Sequence, residues 1–303
     1  MLQHPGTDLH TIHDWLRWAV SRFCEADLCF GHGCDNPYDE AAWLILASLN
    51  LRHDQLETFR HARLTVTEKD LLFERLHRRI EERIPVAYLV NEAWLGDFRF
   101  YVDERVIVPR SYFAELLEES LAPWVEAPEA IESALDLCTG SGCLAILMTH
   151  AFPGARVDAV DLSPDALDVA RINLDAYGLE DEIELIRSDV FDHLGARRYD
   201  LIVSNPPYVT QASMDNIPQE YLCEPELALV AGNDGLDVVR RILAGAAGHL
   251  TENGLLMVEV GHNADLVEAA WPHVPFTWVD APSGESRIFL LSRQELESHF
   301  LPA

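Results

Sequence analysis

Apolar residues in the first ninety positions recur at the spacing of α-helices. One predicted helical face consists of Ile12, Trp15, Leu16, Ala19, Val20 and Phe23. Asn36 and Pro37 predict the N-cap and the first position of a second helix. A third helix is predicted to begin at Thr67-Glu68-Lys69-Asp70, which resembles a capping box. We therefore expect residues 1–92 to form a helical N-terminal domain that recognises the substrate, although these helices could also only cover apolar surface.

Residues 93–110 change to an alternating pattern. The alternating apolar positions are Phe98, Phe100 and Val102. A second apolar run, residues 106–108, follows two acidic residues, and together the runs predict a β-hairpin that links the two parts of the chain. Ser111 is expected to cap a helix that runs through Leu117.

Strand and helix signals alternate through residues 111–303. The short apolar runs that predict strands are residues 134–137, 157–161, 183–186, 201–204, 254–260, 276–279 and 287–291. One helix between them has Ser163 as its predicted cap and Gly178 at its end, and a polar loop is predicted from Thr210 to Asn233. This alternation predicts an α/β fold with a parallel, doubly wound sheet.

The cysteines and the termini indicate an intracellular protein. The six cysteines show no CxxC pairing, so we expect reduced thiols, and Cys24, Cys29 and Cys34 fit no usual zinc spacing. The first residues show no signal peptide, and no run of about 18 apolar residues could span a membrane. We expect a cytoplasmic protein without a metal site.

The charge balance is strongly acidic. The formal net charge is −29, and Lys69 is the only lysine. A nucleic-acid-binding protein needs arginine and lysine to neutralise phosphates, so direct nucleic-acid binding is not expected. The acidity favours a basic partner, but it also fits an organism whose proteins are generally acidic.

A glycine-containing loop joins the first predicted strand of the sheet to its helix. The loop reads Asp136-Leu137-Cys138-Thr139-Gly140-Ser141-Gly142, and its two glycines permit a tight turn and close approach of a ligand. A ligand here would also meet the unpaired N–H groups of the following helix. Residues 140–145 fit the NAD fingerprint GxGxxA as well, and Asp161 at the end of the second strand could accept the ribose hydroxyls of either cofactor.

Two carboxylates favour S-adenosylmethionine over NAD. Asp136 would attract a sulfonium but repel a pyrophosphate, and Asp189 could accept the adenine amino group. Alternatively, Asp136 only caps a turn and Asp189 is a surface acid. The predicted cofactor residues are Asp136, Cys138, Thr139, Gly140, Ser141, Gly142, Asp161, Leu162, Asp189, Val190 and Asn205.

The fourth predicted strand of the sheet ends at Asn205-Pro206-Pro207-Tyr208. Two prolines cannot continue a strand, so this motif lies at the carboxyl edge of the sheet, where ligands bind. The Asn205 side-chain oxygen and the Pro206 carbonyl could accept both protons of a planar NH2 group. Pro207 would keep this geometry rigid, and Tyr208 would pack on the amide plane. These four residues are the predicted catalytic set, although Asn-Pro and Pro-Pro also occur in ordinary turns.

These motifs together resemble the HemK-like protein glutamine methyltransferases. The residues that carry the resemblance are the D-x-x-x-G-x-G loop at 136–142, the Asn-Pro-Pro-Tyr motif, Arg83-Ile84-Pro85-Val86-Ala87-Tyr88-Leu89 and Val108-Pro109-Arg110. The resemblance implies a class I S-adenosylmethionine-dependent methyltransferase with a small helical N-terminal domain. It also implies a hairpin linker and a Rossmann-like seven-stranded sheet whose last strand is antiparallel.

Within this family the chain is similar to the branch that methylates large-subunit ribosomal protein L-three. The similarity rests on residues 30–37 and 136–142. Enzymes of the release-factor branch usually have glycine in place of Cys138 and an acidic run in place of residues 109–112. We therefore expect methylation of a glutamine amide in that basic ribosomal protein. The alternatives are glutamine methylation of release factors, amino-methylation of adenine in nucleic acid, an NAD-dependent oxidoreductase and a non-catalytic assembly factor.

Overall fold

The N-terminal part of the chain is helical. A computed structural model of the chain describes residue 5, residues 8–282, residue 284 and residues 287–300. The N-terminal helices are α1 Ile12–Glu25, α2 Pro37–Ser48, α3 Leu56–Phe59, α4 Val66–Glu81 and α5 Val86–Val90. The predicted apolar face of α1 is buried except for Val20, and Asn36 caps α2 by accepting hydrogen bonds from the N–H groups of Tyr38 and Asp39. Residues 1–4, on which the expectation about a signal peptide rests, lie outside the described residues.

The capping box of α4 begins two residues before the predicted position. Thr65 Oγ1 accepts the Glu68 N–H at 3.3 Å, and the Glu68 carboxylate accepts the Thr65 N–H at 2.7 Å. The prediction at Thr67 is wrong because Thr67 already lies in the first turn of the helix. Thr65 has the extended backbone that an N-cap requires, so Glu68 occupies the third helical position and completes the box.

The hairpin is shorter than predicted. It consists of β1 Ala93–Leu95 and β2 Phe98–Phe100, with Ala93 paired to Phe100. The predicted strand at residues 106–108 is wrong, because side chains bind the backbone groups that a strand ladder would use. The Tyr88 hydroxyl donates to the Val106 carbonyl at 2.5 Å, and Glu224 accepts the Val108 N–H at 2.9 Å.

The rest of the chain forms one seven-stranded sheet with helices on both faces. Its strands are β3 Ser133–Leu137, β4 Arg156–Asp161, β5 Ile183–Arg187, β6 Tyr199–Ser204, β7 Leu250–Glu259, β8 Thr277–Val279 and β9 Ile288–Ser292. The helices are α6 Phe113–Glu118, α7 Cys143–Ala151, α8 Pro164–Tyr177, α9 Gln211–Met214, α10 Glu226–Leu229, α11 Asp237–Gly245, α12 Ala264–Ala270 and α13 Arg293–Phe300. None of the helices in the described residues combines the length and the apolar character that crossing a membrane requires.

The strand order of the sheet is β5-β4-β3-β6-β7-β9-β8. Strands β3 to β7 pair in parallel, whereas β9 pairs antiparallel with both β7 and β8. This confirms the class I methyltransferase fold, including its antiparallel last strand. The strand order reverses between β3 and β6, and at such a switch point the loops that leave neighbouring strands part and open a crevice.

Successive residues of the central strands pack into two different cores. Ala134 and Leu201 contribute to the core that contains α6, α7 and part of α8, whereas Leu135 and Ile202 contribute to the core that contains α11 and α13. This alternation follows from the two-residue period of a β-strand, and it explains why these strands are apolar on both faces.

The helical part and the sheet part share a third core. This core contains the faces of the N-terminal helices, Val102, Val106 and Val108 of the linker, and Ala166 and Val169 of α8. Residues 101–110 of the linker are therefore packed between the two parts and not exposed between them. The domain division at residues 92 and 110 stays a prediction.

Candidate active site

The glycine loop after β3 is held by short-range hydrogen bonds to buried carboxylates. Asp136 Oδ2 accepts the Thr139 hydroxyl at 2.6 Å and the Ala145 N–H at 3.0 Å. Burial raises the pKa of Asp136 to about 7. Its Oδ1 atom has no hydrogen-bond partner among the described residues. Asp136 therefore supports the turn of this loop, and its role toward a cofactor stays a prediction.

Both glycines of this loop have a left-handed backbone, with φ angles of +55° at Gly140 and +79° at Gly142, but their surroundings differ. A Cβ atom at Gly142 would lie 3.2 Å from the Cβ atom of Ala170, so this glycine permits close packing of the loop on α8. A Cβ atom at Gly140 would meet nothing within 4 Å, but its φ angle is +55°. Gly140 is therefore required by its backbone conformation, and it leaves open space above the backbone.

A cleft opens beside this loop at the carboxyl ends of the strands. Seven of the predicted cofactor residues line it: Cys138, Gly140, Asp161, Leu162, Asp189, Val190 and Asn205. The other four, Asp136, Thr139, Ser141 and Gly142, are not among its lining residues. Sequence reasoning missed the opposite wall, which the linker residues 105–107 and the segment 225–230 provide.

The two carboxylates in this cleft differ in their partners. Asp161 accepts the N–H groups of Gly140 at 2.9 Å and Ser163 at 2.8 Å, and its burial raises its pKa. Asp189 is half-exposed, and its carboxylate accepts a hydrogen bond from Arg241 at 2.6 Å. Asp161 is thus fixed by the backbone of the glycine loop, whereas Asp189 is oriented by a surface arginine.

Two residues in the cleft wall have a left-handed backbone. Their φ angles are +63° at Cys138 and +53° at Val190. A positive φ is uncommon for any residue with a side chain, and for a β-branched valine it is a genuine outlier. Such conformations store backbone strain and cluster at ligand sites. Both residues, in the turns after β3 and β5, line the cleft.

Asn205 has a defined side-chain orientation. Its Nδ2 group donates to the Arg110 carbonyl at 3.3 Å. Because a carbonyl oxygen can only accept, the amide nitrogen must face Arg110, and Oδ1 points away from it. The preceding Ser204 is fully buried and donates to the Leu137 carbonyl at 2.8 Å, which joins the ends of β6 and β3.

Tyr208 is enclosed by residues that sequence reasoning missed. Its carbonyl accepts a hydrogen bond from Asn263 Nδ2 at 2.6 Å. A Cβ atom at Gly235 would lie 2.3 Å from this carbonyl, and one at Gly261 would lie 2.7 Å from the Tyr208 ring. Both glycines have positive φ angles, +75° and +54°. Burial, with the nearby Glu259 carboxylate, raises the pKa of Tyr208 to about 12, so the ring stays neutral.

A second cleft also has Asn205 in its lining. Its lining is mostly apolar or aromatic and includes Ile107, Pro206, Tyr208, Val209, Ile217, Pro218, Tyr221, Leu229 and His262. Asn205 lines both clefts, as do Ile107 and Ala228. The side-chain amide of Asn205 therefore lies where this apolar cleft meets the cleft beside the glycine loop.

The predicted loop from Thr210 to Asn233 is structured. It contains α9, a 3-10 helix at Gln219–Cys223 and α10, and Val209 pairs with Val230 through two backbone hydrogen bonds. Residues of this segment line both clefts. The expectation of a plain polar loop is wrong because the polar residues in it include carboxylates that are buried.

One of these carboxylates, Glu220, fastens the segment to the N-terminal helices. Glu220 Oε1 accepts the Cys29 N–H at 3.0 Å and hydrogen bonds from Arg79 at 3.4 Å and Arg83 at 3.2 Å. The fully buried Arg79 also binds Glu40 at 2.7 Å. No sequence signal distinguishes these charged residues from solvated ones, because helical spacing alone does not reveal a partner 141 positions away.

The second buried carboxylate, Glu224, binds Arg110. Its two oxygens accept the two terminal nitrogens of the Arg110 guanidinium, each at 2.6 Å. Burial alone would raise the pKa of Glu224, but Arg110 and the neighbouring His32 together outweigh burial and lower it to about 2. The charge of Arg110 is thus neutralised within the wall of the second cleft.

The cysteines and histidines of the described residues form no cluster that could bind a metal ion. All six cysteines are free thiols. No group of three His, Cys, Asp or Glu side chains within the described ranges is arranged to hold a metal ion.

Comparison with known proteins identifies similar sequences across nearly the whole chain. Residues 119–233 match the family model of the methyltransferase small domain, and residues 14–90 match that of the PrmC N-terminal domain. A ribosomal protein uL3 glutamine methyltransferase of Neisseria meningitidis serogroup A is 55% identical over 98% of this chain and 97% of its own. A protein of the same description from Bordetella pertussis is 52% identical over 98% of this chain and 100% of its own. One from Bradyrhizobium diazoefficiens is 48% identical over 96% of this chain and 93% of its own.

Proposed function

The chain belongs to the family of ribosomal protein uL3 glutamine methyltransferases, and from this premise we propose that it methylates a glutamine side-chain amide of ribosomal protein uL3. The methyl donor of this reaction is S-adenosylmethionine, as the methyltransferase domain implies. The observation that carries the proposal is the position of Asn205, which lines both the cleft beside the glycine loop and the apolar cleft.

The first cleft fits an adenosine-bearing sulfonium. Gly140 leaves room for close approach, Asp161 presents a fixed carboxylate for the ribose hydroxyls, and Leu162 and Val190 offer apolar surface. The arginine in this wall, Arg105, is already paired with Asp103 at 2.6 Å, so it is not free to neutralise a pyrophosphate. These residues would hold S-adenosylmethionine, which supplies an electrophilic methyl group, and they favour it over NAD.

The second cleft fits the neutral amide of glutamine. An amide nitrogen is a poor nucleophile because its lone pair is delocalised into the carbonyl. Asn205 Oδ1 and the Pro206 carbonyl accept hydrogen bonds from the two N–H groups, which raises electron density on nitrogen and fixes its direction of attack. Pro207 keeps this turn rigid, and the Tyr208 ring packs on the amide plane. The proton that the methylated nitrogen loses passes to water.

The N-terminal helices serve substrate recognition in this proposal. They bind the segment 219–223 through Glu220, and Tyr221 of that segment lines the second cleft. The net charge of −29 suits a basic ribosomal protein, and the free thiols are consistent with a cytoplasmic enzyme. The reaction on purified uL3 should therefore slow as salt is added, because salt screens attraction between opposite charges.

Replacement of Asn205 tests the proposal. We expect Asn205→Ala to reduce kcat for methylation of purified uL3 by about 100-fold, because the loss of one preorganised hydrogen-bonding group typically has that effect. The Kd for S-adenosylmethionine should change less than about threefold, since Asn205 is one of many residues in that cleft wall. Asn216→Ala, on an exposed residue between α9 and the 3-10 helix at Gln219–Cys223, is the matched control and should leave both values unchanged.

The same assay separates the alternative acceptors. Release factor and adenine-containing oligonucleotides should be methylated much more slowly than uL3. Equal losses of kcat and cofactor affinity in Asn205→Ala would contradict the proposed role of Asn205, and methylation of either alternative acceptor in preference to uL3 would contradict the proposed substrate.

A further inference from the structure

Residues 108–112 are positioned by hydrogen bonds to two buried carboxylates, which belong to separate elements. Glu224 lies after the 3-10 helix at Gln219–Cys223, and Glu259 ends strand β7. The two acids are only 5% and 2% exposed. A buried charge is retained only where it is paired or hydrogen-bonded, so these contacts are specific constraints on the backbone they hold.

Glu224 holds the beginning of this segment. Its Oε1 atom accepts the Val108 N–H at 2.9 Å and the first terminal nitrogen of Arg110 at 2.6 Å, and its Oε2 atom accepts the second at 2.6 Å. The Arg110 guanidinium also lies 5.2 Å from the centre of the Tyr221 ring. Such bidentate, charge-assisted bonds fix direction as well as distance.

Glu259 holds the end of the segment. Its Oε2 atom accepts the Ser111 hydroxyl at 2.5 Å and the Tyr112 N–H at 3.1 Å. Arg110 lies between the two anchors, and its backbone carbonyl accepts a hydrogen bond from the Asn205 side-chain amide at 3.3 Å. The acceptor that orients Asn205 is therefore fixed from both sides along the chain.

The orientation of Asn205 matters because its terminal torsion is intrinsically soft. The χ2 torsion of asparagine has broad, roughly two-fold minima, so an unrestrained amide would present either its oxygen or its NH2 group to the second cleft. Only the oxygen can accept a proton of the substrate amide, whereas the NH2 group would repel it.

We propose that the 108–112 segment, anchored by Glu224 and Glu259, is the device that turns the Asn205 oxygen toward the glutamine amide. Arg110, Glu224 and Glu259 are then positioning residues, since they act on the reaction through Asn205. This inference rests on the proposed function of Asn205 and adds the means by which its orientation is set.

Glu224→Gln tests the proposal with little change in side-chain shape. A glutamine would turn an NH2 group toward the guanidinium and release Arg110. We expect kcat with uL3 to fall by about 100-fold, as small misplacements of reacting groups do, while the Kd for S-adenosylmethionine stays within about twofold. Asp158→Asn is the matched control, because this mostly buried carboxylate binds Arg197 at 2.8 Å and Tyr199 at 2.6 Å without contacting the 108–112 segment. The control should retain kcat.

The side-chain NH2 signals of Asn205 report the orientation directly. They are assigned in a ¹⁵N-labelled sample by their loss in Asn205→Asp. We expect Glu224→Gln to shift them toward the values of a solvent-exposed asparagine, and Asp158→Asn to leave them unchanged. If Glu224→Gln gives too little folded protein, Arg110→Lys replaces it, since lysine keeps the charge but loses the bidentate bond; its kcat should fall about tenfold.

The outcomes separate the two hypotheses. Unchanged kcat in the anchor variants, or reduced kcat with unchanged Asn205 signals, would overturn the positioning role and leave the proposed function standing. Full activity of Asn205→Ala would instead overturn the proposed function itself.

Discussion

The glycine loop after β3 and the Asn-Pro-Pro-Tyr turn after β6 lie at the same edge of the sheet but are stabilised in different ways. The glycine loop is held by Asp136 and Asp161, which bind groups between 3 and 21 positions away. The turn after β6 is held by Arg110 and Asn263, which lie 95 and 55 positions from their partners. The glycine loop of the cofactor half is thus held by local contacts, whereas the Asn-Pro-Pro-Tyr turn of the acceptor half depends on distant parts of the chain.

This difference has a functional consequence. A local loop keeps its shape wherever its own sequence is kept, so a cofactor cleft of this kind can serve many acceptors. The acceptor half depends in addition on Cys29 and Tyr221, which line the second cleft but not the cofactor cleft.

The largest effect is expected for Arg79→Met. This substitution leaves Glu40 and Glu220 buried without their shared partner, so the free energy of unfolding should fall by about 3–5 kcal/mol. Urea denaturation followed by circular dichroism measures it. Arg240→Met removes a half-exposed arginine that pairs with Asp234 and Asp237 and should lower the free energy by no more than about 1 kcal/mol. Equal losses in the two variants would contradict the importance of the buried contacts.

The stability of the protein should depend on pH through one buried acid in each half, Asp136 in the cofactor half and Glu259 in the acceptor half. The pKa values of Asp136 and Glu259 are each about 7, raised first of all by burial from values near 4 in the unfolded chain. The folded state therefore binds more protons than the unfolded chain between these pH values. The stabilisation that results from this difference is fully present below about pH 4 and is lost as the pH rises to about 7.

Asp136→Asn and Glu259→Gln should each remove part of this loss. Between pH 5 and pH 7 the free energy of unfolding of the parent protein should fall more steeply than that of either variant, by up to about 3 kcal/mol in total for each acid. Urea titrations at several pH values measure the slopes. Parallel slopes in the parent and both variants would show that these acids titrate normally.

Gly261→Ala should impair the acceptor half alone. Its new Cβ atom would lie 2.7 Å from the Tyr208 ring at a backbone φ of +54°, so the ring must move. We expect kcat to fall by about 30-fold while the Kd for S-adenosylmethionine stays within about twofold. Gly154→Ala, where a Cβ atom would meet nothing within 4 Å, is the control and should resemble the parent enzyme. A larger loss of cofactor affinity than of kcat would refute the separation of the halves.

The smallest effect is expected for Asp161→Asn, which perturbs the cofactor half. An asparagine can accept only one of the two backbone N–H groups well, and it lacks the charge for ribose hydroxyls. The Kd for S-adenosylmethionine should rise about tenfold, and kcat at saturating cofactor should change less than threefold. Isothermal titration and steady-state kinetics test this, and a change confined to kcat would contradict it.

Sequence reasoning succeeded where the determining contacts are local. The caps at Asn36 and Ser163, the glycine end of α8 and the seven strands all follow from neighbours along the chain. The error at Thr67 arose because Thr65 with Glu68 and Thr67 with Asp70 both have the spacing of a capping box. These features need only propensity, capping and strand periodicity.

The same reasoning failed where tertiary contacts decide. The run 106–108 has the composition of a strand, but Tyr88 and Glu224 bind its backbone. The clefts' second walls, the buried ion pairs of Arg79 and the close glycines at 235 and 261 left no local signal. Seven of the eleven predicted cofactor residues line the first cleft, and their individual roles stay predictions.

The fit of Gly235 and Gly261 against Tyr208 also bears on engineering of this enzyme. Neither glycine contributes a functional group, yet any larger residue would collide with the tyrosine that they enclose. A library designed to alter acceptor preference should therefore leave both positions constant. It should instead vary Ile217, Leu229 and His262, whose side chains border the apolar cleft.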